Sequence, residues 1–246
     1  MKKIEITDSA KEELSLEYIS SSIGELVKDF GGDISSFNRV ERVGLVISCP
    51  ENYFDLFKSE IEDKIADVIA VKYKYSFLKS KMYVAGLSEY ESEILYTTVI
   101  SADLEDDKRY IVRKLKAFDK YVIDGIFNFR LQPLKSKWKE VASYIPFFFS
   151  SRQLCDFISY VLGEKRGKKV LIDGKSVYDL NFNRLKRSVL LSHTPDVVKE
   201  ALLSPCAYVE VVNSVSTEEE KQLKKFFGQR VSFSSGSLQK TVDKKN

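Results

Sequence analysis

Histidine is almost absent from this sequence: His193 is the only one among 246 residues. Cysteine is scarce too, and Cys49, Cys155 and Cys206 are odd in number and widely spaced. That fits neither a disulfide framework nor the C-x-x-C pairs of a zinc site, and predicts reduced, cytosolic, mostly buried thiols, no bound metal and no cofactor. Long apolar runs are lacking as well. The most apolar short stretch, Tyr144 to Phe149, falls far below the roughly 18 residues of a membrane span. The N-terminus turns acidic after six residues without the apolar core of about 7 to 15 residues that a signal peptide carries. The expectation is a cytoplasmic chain with no membrane span.

Chemical motifs are equally sparse. No G-x-x-x-x-G-K-[ST] loop, H-E-x-x-H helix, G-x-S-x-G elbow or G-x-G-x-x-G turn occurs. His193 precedes a helix start, where an imidazole caps or hydrogen-bonds locally; a general base would need a nucleophile beside it. The acid clusters Glu105-Asp106-Asp107 and Glu218-Glu219-Glu220 read as helix starts, where the dipole favours negative charge. No catalytic residue stands out, and no repeat of solenoid period is present.

What the chain does have is 43% hydrophobic and 30% charged residues, the composition of a globular protein of one or two domains. Its net charge of +3 hides an asymmetry. Residues 1–128 hold 18 basic against 24 acidic side chains, and residues 129–246 hold 21 against 12. The excess is sharpest over 130–187, with 13 against 5. Such a stretch is either a footprint for phosphates or an acidic partner, or a solvated surface that complements the acidic half.

Periodicity predicts an α+β fold. A strand over Lys3–Thr7 leads into an amphipathic helix with Leu16, Ile19, Ile23, Leu26, Val27 and Phe30, stopped at Gly31-Gly32. A strand over Val43–Ser48 precedes a capping box at Ser48-Cys49-Pro50-Glu51 and a helix with Phe54, Phe57, Ile61, Ile65 and Val68. Lys72–Lys81, KYKYSFLKSK, could stack bases and neutralise phosphates, or could be a snorkelling helix or a strand edge. A second box at Ser88-Glu89-Tyr90-Glu91 opens a helix through Val99, and another helix is expected over Leu104–Ala117. An aromatic-rich helical middle follows, with Trp138, the run Pro146-Phe147-Phe148-Phe149 read as core or interface, and a helix capped by Ser150 or Ser151. Beyond the linker Glu164–Lys169, Asp173-Gly174 marks a hairpin. Thr194-Pro195-Asp196 opens a helix, Tyr208–Val212 is a buried strand, Thr217 caps a helix closed by Gly228, and Val231–Phe233 is a last strand. The expected organisation is an N-terminal α/β module (1–85), a helical middle (86–163), a C-terminal α/β module with a hairpin and a βαβ-like end (164–233), and a disordered tail (234–246).

The octet Asp124-Gly125-Ile126-Phe127-Asn128-Phe129-Arg130-Leu131 resembles the D/G-F-x-N-F-R-L segment of the YtxC-like sporulation proteins of spore-forming Firmicutes. Behind it, Asp156-Phe157-Ile158 is similar to that family's E-F-I helix. Glu200-Ala201-Leu202-Leu203-Ser204-Pro205 is similar to its S-A-L-I-x-x-x-P, and Phe226-Phe227-Gly228-Gln229-Arg230-Val231 to its I-F-x-x-R-V. The likeness spans roughly residues 90–237. It departs where many members carry cysteines after R-V, because Ser232 to Ser237 offer only hydroxyls, phenylalanine and glycine, so a thiolate metal site is not implied here. Pro133 and the Pro-Phe-Phe-Phe run also interrupt a stretch that is more continuously helical in the family.

The resemblance implies a role in endospore formation without an established biochemical activity. The expectation is a non-enzymatic interaction or regulatory factor with an unknown protein partner of the sporulating cell. The alternatives are a nucleic-acid-binding protein using 130–187, which is possible but not favoured, and an enzyme on an anionic substrate anchored by Arg130. Candidate anion- or partner-binding residues are Asp124, Asn128, Phe129, Arg130, Lys165, Arg166, Lys168 and Lys169. Around Arg130 the other reading is a buried Arg–Asp network with Asp124.

Overall fold

The computed structural model describes residues 1–234, the side chain of Lys168 excepted. The expected tail beyond Ser234 lies outside the described residues. The fold is α+β, as the periodicity predicts. The chain divides into two compact units, one of Met1–Lys81 with Leu104–Tyr144, the other of Met82–Asp103 with the chain from Ile145 onward.

In the first unit, β1 (Lys2–Ser9) leads to α1 (Glu13–Asp29), then β2 (Asp33–Arg39), β3 (Arg42–Cys49) and α2 (Phe54–Asp67). A π-helical turn, Val68–Tyr73, carries α2 into α3 (Lys74–Lys81). The long α4 (Glu89–Leu115) gives its second half to this unit, followed by β4 (Lys120–Val122), α5 (Ile123–Arg130) and α6 (Gln132–Ser143). The sheet order is β2-β3-β1-β4, antiparallel except for the β1–β4 pair. Strand alternation puts Ile4, Ile6 and Asp8 on one face, opposite Ile47, Leu45 and Val43, so an acid ends an otherwise apolar buried row. Leu16, Ile19, Ile23 and Val27 of α1 and Phe57, Ile61 and Ile65 of α2, with Val68 just beyond it, are buried as expected, while Leu26, Phe30 and Phe54 are half-buried.

Four local expectations are corrected. Ser48 lies within β3, paired with Lys3 and Asp33, so it caps no helix; Pro50 precedes a short 3-10 turn instead. The strand β2 was not expected, because its DISSFNR sequence has only Ile34 and Phe37 as large apolar residues and stands at a sheet edge. The two helices expected over 88–117 are one 27-residue helix. Asp107 therefore sits inside a helix rather than at its start.

The second unit takes the first half of α4, then α7 (Ser151–Glu164), β5 (Gly167–Asp173), β6 (Ser176–Tyr178), β7 (Arg184–Leu185), α8 (Val197–Leu203), β8 (Cys206–Val211), α9 (Thr217–Phe227) and β9 (Val231–Phe233). Sheet order is β7-β6-β5-β8-β9; β5, β8 and β9 run parallel and the hairpin strands antiparallel. Of the two caps expected, Ser150 opens α7, through a capping box with Gln153. At α8 the cap is Asp196, whose carboxylate accepts Val198 N–H and Lys199 N–H at 3.0 Å, not Thr194; at α9 it is Ser216, not Thr217. Asp173 pairs with Ser176, so the hairpin loop is Gly174-Lys175, with Gly174 at φ +58°. Part of the expected linker is already strand, since β5 begins at Gly167.

Candidate ligand-binding face of the C-terminal sheet

Period-two alternation gives the second sheet two unlike faces. Val170, Ile172, Val177, Val209 and Val211 are buried on one, the face that α8 and α9 cover. On the other, Lys169 stands beside Tyr208 and Leu171 beside Glu210 in the parallel β5–β8 register; Leu171 is buried there, while Lys169 and Tyr208 are exposed. Tyr178 and Arg184 continue that face across the hairpin, and Ser232 extends it onto β9. Tyr208, on the strand between β5 and β9, is 53% exposed.

Arg230, arriving from α9, lays its guanidinium 5.5 Å from the centre of the Tyr208 ring, within cation–π range. Lys169 Nζ pairs with the Glu210 carboxylate, and that hydrogen bond, opposed by partial burial, holds Glu210 below the usual carboxylate range. Opposite Arg230 is the loop 179–183. The Asp179 carboxylate fixes it by accepting Asn181 N–H at 2.8 Å and Asn183 N–H at 2.9 Å, and Phe182 takes φ +63°. Between loop and β9 lies a hollow of about 490 Å³ lined by Lys169, Leu180, Tyr208, Arg230 and Ser232 among others. A second hollow, of about 500 Å³, runs along Cys155, Asp156 and Ser159 of α7 and shares Tyr208 and Arg230 with the first. The Tyr208–Arg230 pair thus borders both.

The residues singled out from the sequence are distributed as follows. Asp124 opens α5 and receives the Arg42 guanidinium through two hydrogen bonds, 2.9 and 3.3 Å. The Arg–Asp network is real, but its arginine is Arg42 of β3. Arg130, six residues further along the helix, points elsewhere and is exposed, as are Asn128 and Phe129, the last at 79%. Lys165 donates to the carbonyls of Leu202 at 2.5 Å and Ser204 at 2.6 Å, closing the end of α8, so its role is local structure. Arg166 is exposed; Lys168 lies in β5. Of the seven whose side chains are described, Lys169 alone joins the face described above.

In the Lys72–Lys81 segment the first three side chains are engaged within the fold. Lys72 pairs with Glu12 at 2.6 Å and donates to Ser15, Tyr73 O–H donates to Asp8, and Lys74 is buried against Asp107. Only Ser76, Lys79, Ser80 and Lys81 are exposed there. Of the Phe run, Phe149 is buried while Phe147 and Phe148 are exposed, Phe147 lying 5.4 Å from the Tyr83 ring. His193 is exposed.

Tyr208 and Arg230 were missed as site residues. The signal was present in Cys206-Ala-Tyr-Val-Glu-Val211, where Tyr208 and Glu210 alternate with buried Ala207, Val209 and Val211. Reading the segment as a buried strand hid its outer face.

Other titratable groups are engaged in structure. The buried Glu200 carboxylate accepts Arg187 N–H at 3.0 Å and Ser188 N–H at 2.6 Å; burial raises its pKa against those bonds. Among the described residues no three His, Cys, Asp or Glu side chains converge as a metal site, and no helix is long and apolar enough to cross a membrane.

Compared with protein-family models, curated proteins and solved structures, the chain finds no match in any of the three.

Proposed function

We propose that this chain is a non-enzymatic recognition factor of endospore formation, acting in the cytoplasm, and that it meets an acidic or phosphate-bearing partner on the open face of its C-terminal sheet. The observation that carries the reading is the exposed Tyr208 in cation–π contact with Arg230, with Lys169 in register on the neighbouring strand. An exposed aromatic flanked by cations supplies contact area and charge without a reacting group. The link to sporulation rests on the resemblance of the Asp124–Leu131 octet and of the segments behind it.

The test measures binding of linear polyphosphate by the purified chain, with Lys169→Glu/Arg230→Glu and Arg130→Glu variants. The face variant is expected to lose binding while Arg130→Glu keeps it. Heat-resistant spore counts from a host carrying each variant in its own chromosomal copy should follow the same order. Equal behaviour of the two variants would overturn the reading.

A further inference from the structure

We infer that the occupant of this face is single-stranded nucleic acid, one base stacking on the Tyr208 ring beside Arg230 and the neighbouring phosphates meeting Lys169 and Arg230. This rests on the open sheet face being the binding surface.

The argument is geometric first. Tyr208 is more than half exposed on an internal strand, where a ring packed for stability alone would be covered, and its partner is a planar guanidinium 5.5 Å away. Bases stack on aromatic rings and on arginine planes alike, and each has a π-face, so such a platform binds without sequence preference. Charge complementarity comes second. Lys169 stands in register beside Tyr208 on the strand to one side of it, while Arg230 approaches from the other side. A strand crossing the sheet would meet cations on either side of the stacked base. Glu210 works against this, since it holds Lys169. The hollow of about 490 Å³ between the 179–183 loop and β9 is open on the solvent side, as a strand passing through requires. A duplex keeps its bases stacked inside and offers the ring nothing to stack on.

The experiment is fluorescence anisotropy with labelled oligothymidylate and oligouridylate of about ten nucleotides, within the site sizes of sheet-based binders. Duplex DNA of the same length and polyphosphate of matched charge serve as competitors. Both oligonucleotides are expected to bind more tightly than polyphosphate or duplex, with log K falling by about 1.4 per tenfold rise in salt for two phosphates. Tyr208→Ala should weaken oligonucleotide binding about tenfold or more and leave polyphosphate binding unchanged, while Tyr208→Phe keeps both. Glu210→Gln should tighten it. Oligonucleotides binding no better than polyphosphate, a preference for duplex, or a Tyr208→Ala chain that binds like the parent would each overturn the inference. If polyphosphate still binds and Lys169→Glu/Arg230→Glu abolishes it, the proposed recognition face stands and only its occupant is wrong. If neither polymer binds, both fall.

Discussion

Lys74 Nζ lies 2.7 Å from Asp107 Oδ2, and each side chain is only 1% exposed. Trp138 donates its indole N–H to the same oxygen at 2.7 Å, and Lys137 reaches the other oxygen at 3.2 Å. Lys74 follows directly on the π-helical turn, which also carries Lys72 and Tyr73 to Glu12 and Asp8. Taking two charges out of water is costly, so removing one partner is worse than removing both.

Asp107→Leu leaves the Lys74 ammonium buried opposite an apolar group and orphans the Trp138 N–H. The expected loss is about 3 to 5 kcal/mol in urea unfolding. Lys74→Met combined with Asp107→Leu should recover much of it. A double variant as unstable as the single one would mean that the pair stabilises the fold rather than specifying it.

Asp8 gives the second prediction. Its Oδ1 accepts Tyr73 O–H and Ser9 N–H, while the buried Oδ2 has no hydrogen-bond partner. Burial, opposed by those two hydrogen bonds and aided by Glu12 and Asp124 nearby, raises its pKa from 3.8 to about 6. A raised carboxyl pKa means that the folded state holds the proton more tightly than the unfolded chain. Its contribution is complete below pH 3.8 and is lost as pH rises through 6. Asp8→Asn keeps an acceptor for Tyr73 but cannot ionise. It should be more stable than the parent at pH 8, by about 2 kcal/mol, and should flatten the slope between those two pH values. Parallel stability–pH curves for the two proteins would count against this account.

The contrast between such pairs and the helices explains what the sequence disclosed. Helix α1, strand β3 and the boxes at Ser88 and Ser150 are local patterns, written within one or two turns of chain. Arg42 and Asp124 are 82 positions apart, and Lys74 and Asp107 are 33 apart. Nothing local distinguishes Lys74, which is buried, from Lys79, which is exposed. The break expected near Leu104 fails because Ser101, a weak helix former, is held by tertiary structure, its hydroxyl donating to the Leu202 carbonyl. At the candidate face, Lys169 was legible as part of a basic run, whereas its neighbours Tyr208 and Arg230 come together only when β8 and the end of α9 fold beside β5.

Two glycines should respond oppositely to alanine. At Gly167 a Cβ would stand 2.2 Å from the Pro205 carbonyl oxygen, a backbone atom that must hold its place where β5 meets β8. At Gly24, inside α1, a Cβ meets nothing within 4 Å. Gly167→Ala is expected to cost about 1 to 3 kcal/mol, and Gly24→Ala to stabilise by about 0.5 to 1 kcal/mol. Thermal melts of both variants check this, and a neutral Gly167→Ala would show that β5 and β8 can separate there at no cost.

Glu91 supplies a pH response of opposite sign from that of Asp8. Its carboxylate receives Lys225 Nζ at 2.8 Å and Ser88 N–H at 2.9 Å. The Lys225 hydrogen bond, then one from Ser151, outweigh partial burial and lower its pKa from 4.5 to about 2. The folded state therefore binds this proton less readily than the unfolded chain. The contribution is complete above pH 4.5 and disappears as pH falls through 2. Glu91→Gln preserves the capping geometry, since glutamine serves at that position, but removes the charge. After solvent screening, the variant should be about 1 kcal/mol less stable than the parent at pH 7. At pH 2 the two should be equal. Because Asp8 loses its contribution between pH 3.8 and 6 as pH rises, while Glu91 loses its own between 4.5 and 2 as pH falls, the single variants should change the slope of the stability curve in two separate pH windows. A Glu91→Gln chain whose deficit at pH 7 persists undiminished at pH 2 would contradict the assignment of the low pKa to this carboxylate.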